Sequence, residues 1–301
     1  MAKRYTPAME RFEKKNKGQK SKISSPSAEA WKRLKRNKLA LVGLVVVVAM
    51  IFVAIFAPVI APQGYDEQDY SAVLQKPSRE HPLGTDDFGR DLLTRLIYGS
   101  RISVPVGFIC SALSLIVGGG LGLIAAYYGG TVEDVIMRIM DVFMAIPAML
   151  FSMAVLSAIG TGTFKMIIAI SLSTLPLFAR ITRGAVYTVK NADYIDSSRA
   201  IGASNTRMML RHMLPNALGP IIVVTTFGVA SNILIVSSLS YLGVGIVPPT
   251  PEWGSILSAA KTYISSAPWF LIFPGITIML AVFALNLFGD GVRDALDPRL
   301  K

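Results

Sequence analysis

The sequence predicts an all-α polytopic membrane protein with six transmembrane helices. Three observations carry that prediction. Charged residues are only 16% of the 301-residue chain and apolar residues 52%, with a mean hydropathy of +0.51, whereas a soluble domain is about a quarter charged. The apolar residues gather in runs free of Asp, Glu, Lys and Arg at 39–65, 102–132, 142–164, 166–179, 213–251 and 263–289. All but 166–179 exceed the roughly 20 residues that cross about 30 Å of hydrocarbon. Finally, the net charge of +11 is concentrated in residues 1–38, which hold 13 Lys/Arg against three Asp/Glu. A basic tail beside a first span suits the positive-inside rule and anionic lipid headgroups and argues against a nucleic-acid partner.

The tail (1–28) is polar and expected to be disordered. From Ala28, Trp31 and Leu34 stand three apart among Lys32, Arg33, Lys35, Arg36 and Lys38, which reads as a short basic interfacial helix or as plain flanking charge. Span one covers about 39–61, its apolar stretch too long for the h-region of a cleavable signal peptide. An external segment, 62–98, follows. Leu92, Leu93, Leu96 and Ile97 there share a helical face, with Asp87 as cap and Gly99 as stop, so an interfacial helix is expected before span two.

The remaining spans form a core over 99–289, followed by a tail at 290–301. Span two carries Gly118 and Gly122 at the GxxxG spacing. No Lys-Ser/Thr follows the glycines and no strand precedes them, so helix packing is the reading rather than phosphate binding. Span three begins near Val135. Asp134, Arg138 and Asp141 fall on one face as a carboxylate–guanidinium–carboxylate stack, a candidate clasp or gate element at the cytoplasmic end, and Pro147 should kink the helix. Span four reaches a sufficient length only if it runs through Arg180 and Arg183, whose guanidinium groups can snorkel to the interface. Span five places Ser231 and Asn232 at mid-depth, where they line a polar pathway or bond a neighbouring helix. Span six carries Asn286, read as packing. Pro248–Gly254 is a stiff external loop with Trp253 at headgroup level.

Six spans put both termini on one side. The segments on that side hold 23 Lys/Arg against seven on the other, so both termini are expected in the cytoplasm of a bacterial or archaeal cell (inner) membrane protein. The lone Cys110 excludes an intramolecular disulfide, and His81 and His212 fall on opposite sides. Neither a metal site nor a catalytic constellation is expected.

The segment between spans four and five, about 187–215, is the most informative. Residues 193–201 can form a short helix with acidic residues at its start. Gly202 suits a left-handed stop, Ser204 a second cap, and Pro215 the return to the membrane. Tyr194, Ile195, Ile201, Met208 and Met209 are apolar and need a partner surface. This segment resembles the EAA loop of ATP-binding-cassette (ABC) importer permeases. Gly202, Leu214 and Pro215 match its spacing, while Asp196, Ser197 and Ser198 stand where the pattern has Glu-Ala-Ala.

The resemblance extends through Trp31–Gly43, His81-Pro82-Leu83-Gly84-Thr85-Asp86, Gly89-Arg90-Asp91 and Ile97–Arg101. It continues through Leu242-Gly243-Val244-Gly245, Pro248–Gly254 and the ending Gly289–Arg299. In this ordered series the chain is similar to the C-type permease subunits of dipeptide and oligopeptide importers; nickel and glutathione importers use similar subunits. The resemblance implies a type I ABC importer permease fold and a complex with a homologous B-type permease, two cytoplasmic ATPase subunits and an external substrate-binding protein, with peptide as cargo. It also implies that the loop residues Tyr194–Ser198, Ile201–Ser204, Arg207, Leu214 and Pro215 couple to the ATPases. With no GxxxxGK[ST] in the chain, ATP and Mg would be held by those partners and no cofactor by this subunit. An ATP-independent secondary transporter or channel would favour inverted halves and midplane ionisable residues, which the sequence lacks.

Overall fold

Among the described residues, five helices are long and apolar enough to cross a membrane, and a sixth candidate span is broken by an 86° bend. The computed structural model describes residues 26–61 and 63–296. The tail before residue 26, Pro62 and the end from residue 297 lie outside the described residues, as does the disorder expected of that tail. In chain order the helices are α1 (Pro26–Leu34), α2 (Lys38–Ile60), α3 (Leu92–Tyr128), α4 (Gly130–Met144), α5 (Ala148–Ile159) and α6 (Thr163–Lys190). They continue with α7 (Asp193–Ala200), α8 (Asn205–Tyr241), α9 (Trp253–Ala260) and α10 (Pro268–Leu296). Wide π turns interrupt α3 at Leu115–Gly119 and α8 at Met208–Met213.

Packing direction fixes the number of crossings. Ser114 donates to the Ser171 carbonyl at 3.0 Å, and Lys190 near the end of α6 donates to Ala126 near the end of α3 at 2.7 Å. Contacts therefore advance along both chains together, and α3 and α6 run parallel. Two parallel spans need one crossing between them, so the bent pair α4–α5 completes it, and the count is six. α8 runs antiparallel to α3, with Asn232 on Ser111 and Ile233 on Gly107, and α2 antiparallel to α10, with Gly43 on Ala284. The Lys38 end of α2, Tyr128, Lys190, Asn205 and Leu296 thus share one end of the bundle, hereafter the basic end.

Glycine sets how closely these helices approach. A Cβ at Gly118 or Gly122 would overlap the Leu175 or Ala179 carbonyl, so the glycine spacing of span two serves α3–α6 contact, as expected. Span four also reaches the expected length through Arg180 and Arg183. Those guanidinium groups do not simply snorkel; they pair with carboxylates of α4 (below).

Three expectations need correction. Residues 92–98 are not a separate interfacial helix. α3 starts at Leu92 and continues unbroken past Gly99, because Asp91 rather than Asp87 caps it, accepting from Thr94 N at 2.7 Å. Leu92 and Leu96 are covered by protein, and Gly99 lets Trp253 approach instead of stopping the helix. Second, Pro147 does more than kink span three. Its extended backbone (φ −52°, ψ 132°) ends the first half, and α5 restarts at Ala148. Third, Trp253 is not at headgroup level. It is 2% exposed, and its Nε1 donates to the Leu96 carbonyl at 3.0 Å.

The end opposite the basic one is closed by a cap the sequence reading did not foresee. Asp86 is fully buried, accepts from Arg90 Nε at 2.7 Å and forms an ion pair with Arg95, whose Nε stands 3.3 Å away without a hydrogen bond, while its other oxygen accepts from Phe88 N and Arg90 N. Arg95 donates to the Tyr65 carbonyl at 3.2 Å, tying the segment after α2 to α3. Burial pushes the neighbouring Asp87 carboxyl up from its ordinary value, with the Asp86 charge adding to the effect. Glu252, 0% exposed, caps α9 by accepting from Ser255 N at 2.9 Å and takes Ser103 Oγ of α3 at 3.0 Å.

Candidate functional site

Between α6 and α8 the chain forms a hook at the basic end. Gly202 adopts φ +83°, a left-handed conformation glycine takes without strain, and donates to the Arg199 carbonyl at 3.0 Å, ending α7. Ser197 and Ser198 donate back to the Asp193 and Tyr194 carbonyls at 2.8 Å, so both hydroxyls are satisfied along the helix. Asp196 is exposed, with Arg199 3.8 Å away, a pair of negligible worth in water.

The hook's apolar residues divide. Ile195, Met208 and Met213 are wholly buried against Leu123, Ala126, Val186, Ala217 and Ile221, so Ile195 and Met208 find their partner surface inside this chain, contrary to expectation. Ile201 stands 86% exposed at the tip and Tyr194 42%. Met209 is half-buried. The result is a braced knob: an anchored base under a protruding apolar tip.

The second half of the hook is not a separate helix. Asn205–Tyr241 runs on as α8, through the π turn and past Leu214 and Pro215, which lie inside it, half-buried and exposed respectively. Proline is tolerated there because the wide turn already breaks the regular backbone bonding. Ser204 stands at the N-cap with extended backbone, but its side chain makes no cap bond; its carbonyl accepts from Met208 N at 2.9 Å. Ala203 is half-buried and Arg207 exposed. Tyr127 of α3 donates to Asn205 at 2.7 Å, and Lys190 of α6 covers the open Ala126 carbonyl. The hook is therefore continuous with α8 and tied to the basic ends of α3 and α6. A push on its tip reaches three spans.

The expected stack of Asp134, Arg138 and Asp141 does not form. Asp141 reaches across to Arg180 of α6 at 2.7 Å, and Glu133 pairs with Arg183 at 3.2 Å and accepts from Tyr187. Side chains on α6 are better placed because α4 lies against it with those residues facing. The clasp thus joins two helices rather than decorating one. Ser231 and Asn232 also part: Ser231 is exposed, while Asn232 is wholly buried and donates to Ser111 of α3 at 2.9 Å. A cavity of about 480 Å³ opens between α6, α8 and α10, lined by Ile181, Pro220, Val223, Phe227, Arg293 and Leu296. No sequence pattern pointed to it, since three separate helices contribute.

Residues 118–301 match the family described as binding-protein-dependent transport system inner membrane component, and residues 25–77 the N-terminal transmembrane domain of oligopeptide transport permease C. The chain is 46% identical to the dipeptide transport system permease protein DppC of Alkalihalophilus pseudofirmus over 92% of this chain and 91% of that one. It is 41% identical to the glutathione transport system permease protein GsiD of Escherichia coli over 93% and 92%. Among solved structures it resembles an inward-facing form of the MetNI methionine ABC transporter, with a TM-score of 0.57 and 17% identity over 68% of this chain and 98% of that one. That likeness shows the fold, a type I ABC permease architecture.

Proposed function

The chain belongs to the family of binding-protein-dependent transport system inner membrane components, and from that premise we propose that it is the permease subunit of an ABC importer for dipeptides. It works with a second, homologous permease to form the pathway. Two ATPase subunits hold ATP and Mg and do the hydrolysis, an external binding protein delivers the cargo, and this chain is non-catalytic. The basic end, with both termini, faces the cytoplasm of a bacterial or archaeal cell, as the distribution of Lys and Arg favours.

One observation carries the reading: the exposed Ile201 tip on a base anchored by Ile195 and Met208 and continuous with α8. An apolar knob on the basic side, held rigidly at the ends of three spans, suits a groove on a moving partner. Alternating access requires contacts that differ between two states. Closure of the ATPases would push the knob and tilt α8, opening the pathway outward; hydrolysis would return it. The glutathione permease relatives favour a second cargo reading, glutathione itself, which is a small peptide.

Purification of the assembly in mild detergent tests the proposal. ATPase subunits and a second permease should co-purify, and hydrolysis should rise with the cognate binding protein and a dipeptide. Cross-linking from Ser197→Cys or Ser204→Cys that captures no ATPase would overturn the docking assignment. Competition between labelled dipeptide and glutathione in proteoliposomes separates the two cargoes.

A further inference from the structure

The elbow between α1 and α2 has a chemistry that the transport reading does not use. Asn37 caps α2, its oxygen accepting from Ala40 N at 3.1 Å, and its amide donates to Asp294 of α10 at 3.3 Å. Leu34 is buried beside Ala40 and Ala295, and a Cβ at Gly291 would overlap the Ala40 side chain. One face of α1 is thereby fastened to the basic end of α10. Ala30 and Leu34 define that face. At 100° per residue Lys32 lies opposite that face and Trp31 to its side, while Lys35 and Arg36 follow in the turn after α1.

All four are exposed, and none of the described salt bridges involves the three cations. Lys35 Nζ stands 5.1 Å from the centre of the half-exposed Trp31 ring. Depth is set by α2, whose apolar run begins at Leu39 and presents Leu39 and Val42 outward. Lys35 and Arg36 therefore stand three and two residues before Lys38, where α2 begins, and Lys32 six before it. An indole prefers the headgroup level, and clustered Lys/Arg beside a span attract anionic headgroups.

We propose that Trp31, Lys32, Lys35 and Arg36 form a binding surface for anionic phospholipid headgroups of the leaflet in which α2 begins, and that the bound lipid pins the basic end of α10 to that leaflet. The acyl chains lie along Leu39 and Val42. The free-standing phosphate group is not the ligand; the lipid surface is. The site is independent of which solute the protein carries.

The test uses the complete complex in phosphatidylcholine nanodiscs with graded phosphatidylglycerol, reading the lipids retained by native mass spectrometry and the thermal midpoint. Wild type should enrich phosphatidylglycerol and melt higher as its fraction rises. The triple variant Lys32→Gln/Lys35→Gln/Arg36→Gln should lose on the order of 100-fold in preference, from three cations each contributing about tenfold or less. The charge-preserving Lys32→Arg/Lys35→Arg should behave as wild type. Equal enrichment in wild type and the triple variant overturns the proposal. So does displacement of the lipid by soluble glycerophosphate, which would indicate a free-phosphate site, and so does loss of a protein subunit from the triple variant with lipid retention unchanged.

Discussion

Gly43 sits where α2 crosses α10, and its replacement by alanine tests how closely that crossing is set. The added methyl would stand 2.6 Å from the Ala284 carbonyl oxygen and 2.7 Å from Phe288 N. Both are backbone atoms, so no side chain can swing aside. Restoring ordinary contact near 3.4 Å demands that the helices part by about 0.8 Å. A radial gap of that size forfeits roughly a quarter to a half of each dispersion contact along the crossing, and overpacking of this kind costs about 1–3 kcal/mol. The matched control is Gly120→Ala in α3. There a methyl meets nothing within 4 Å, and alanine is the better helix former by up to about 1 kcal/mol. Cys110, the only cysteine and wholly buried, provides the readout. With the isolated chain in detergent, a thiol-reactive fluorogenic dye reports core opening on heating. Gly43→Ala should melt on the order of 5 °C lower and Gly120→Ala no lower than wild type. Equal midpoints for the two variants would refute the close-approach argument.

Asp86→Asn should destabilise the cap opposite the basic end by about 3–5 kcal/mol, since Arg90 and Arg95 would be left buried with half their countercharge; faster amide exchange across 84–96 is the check, and unchanged exchange counts against it. Glu252→Ala strands the Ser255 amide and the Ser103 hydroxyl at about 1–3 kcal/mol each, whereas Glu252→Gln should be milder. Burial raises the Glu252 carboxyl above its ordinary 4.5 despite the donors that lower it. Its contribution to stability is then full below 4.5 and lost as pH rises through the elevated folded value. The wild-type melting midpoint should therefore fall across that window, and that of Glu252→Gln should fall less, the elevated Asp87 carboxyl remaining in both. Ile201→Asp should leave the fold intact, because the side chain touches little of its own chain, yet sever stimulated hydrolysis from uptake; coupled transport at the wild-type rate would contradict the knob. Exchanging the partners in Asp141→Arg/Arg180→Asp should recover transport lost in either single variant.

The spans were legible because hydrocarbon imposes a length and forbids charge, a constraint visible in any single run of residues. Gly118 and Gly122 could be read for the same reason: their spacing alone places them on one face. Gly202 was readable as a helix stop because that conformation belongs to glycine. Partners across helices were not. Asp134, Arg138 and Asp141 have ideal spacing for a stack on α4, but Asp141 pairs with Arg180 and the neighbouring Glu133 with Arg183, which only the packing of α6 brings near. Trp253 and Glu252 looked like loop residues beside a proline cluster, because nothing local records that α3 and α8 close over them. A sign was present in the cap, where Asp86, Asp87, Arg90, Asp91 and Arg95 mix both charge signs within ten positions. Such density in a segment too short for a domain is hard to explain unless the charges neutralise one another out of water.

α3 has 37 residues, roughly 55 Å of rod at 1.5 Å per residue, against about 30 Å of hydrocarbon. One extremity is held at the cap, where Arg95 and Leu96 are locked into folded protein, and the other by Tyr127 and Ala126 at the hook. A beam gripped beyond both faces of the sheet it pierces behaves as a seesaw. A tilt of about 5° about mid-length swings each extremity by about 2 Å in opposite senses, so a nudge felt at one water-exposed face is delivered to the other without any helix having to slide.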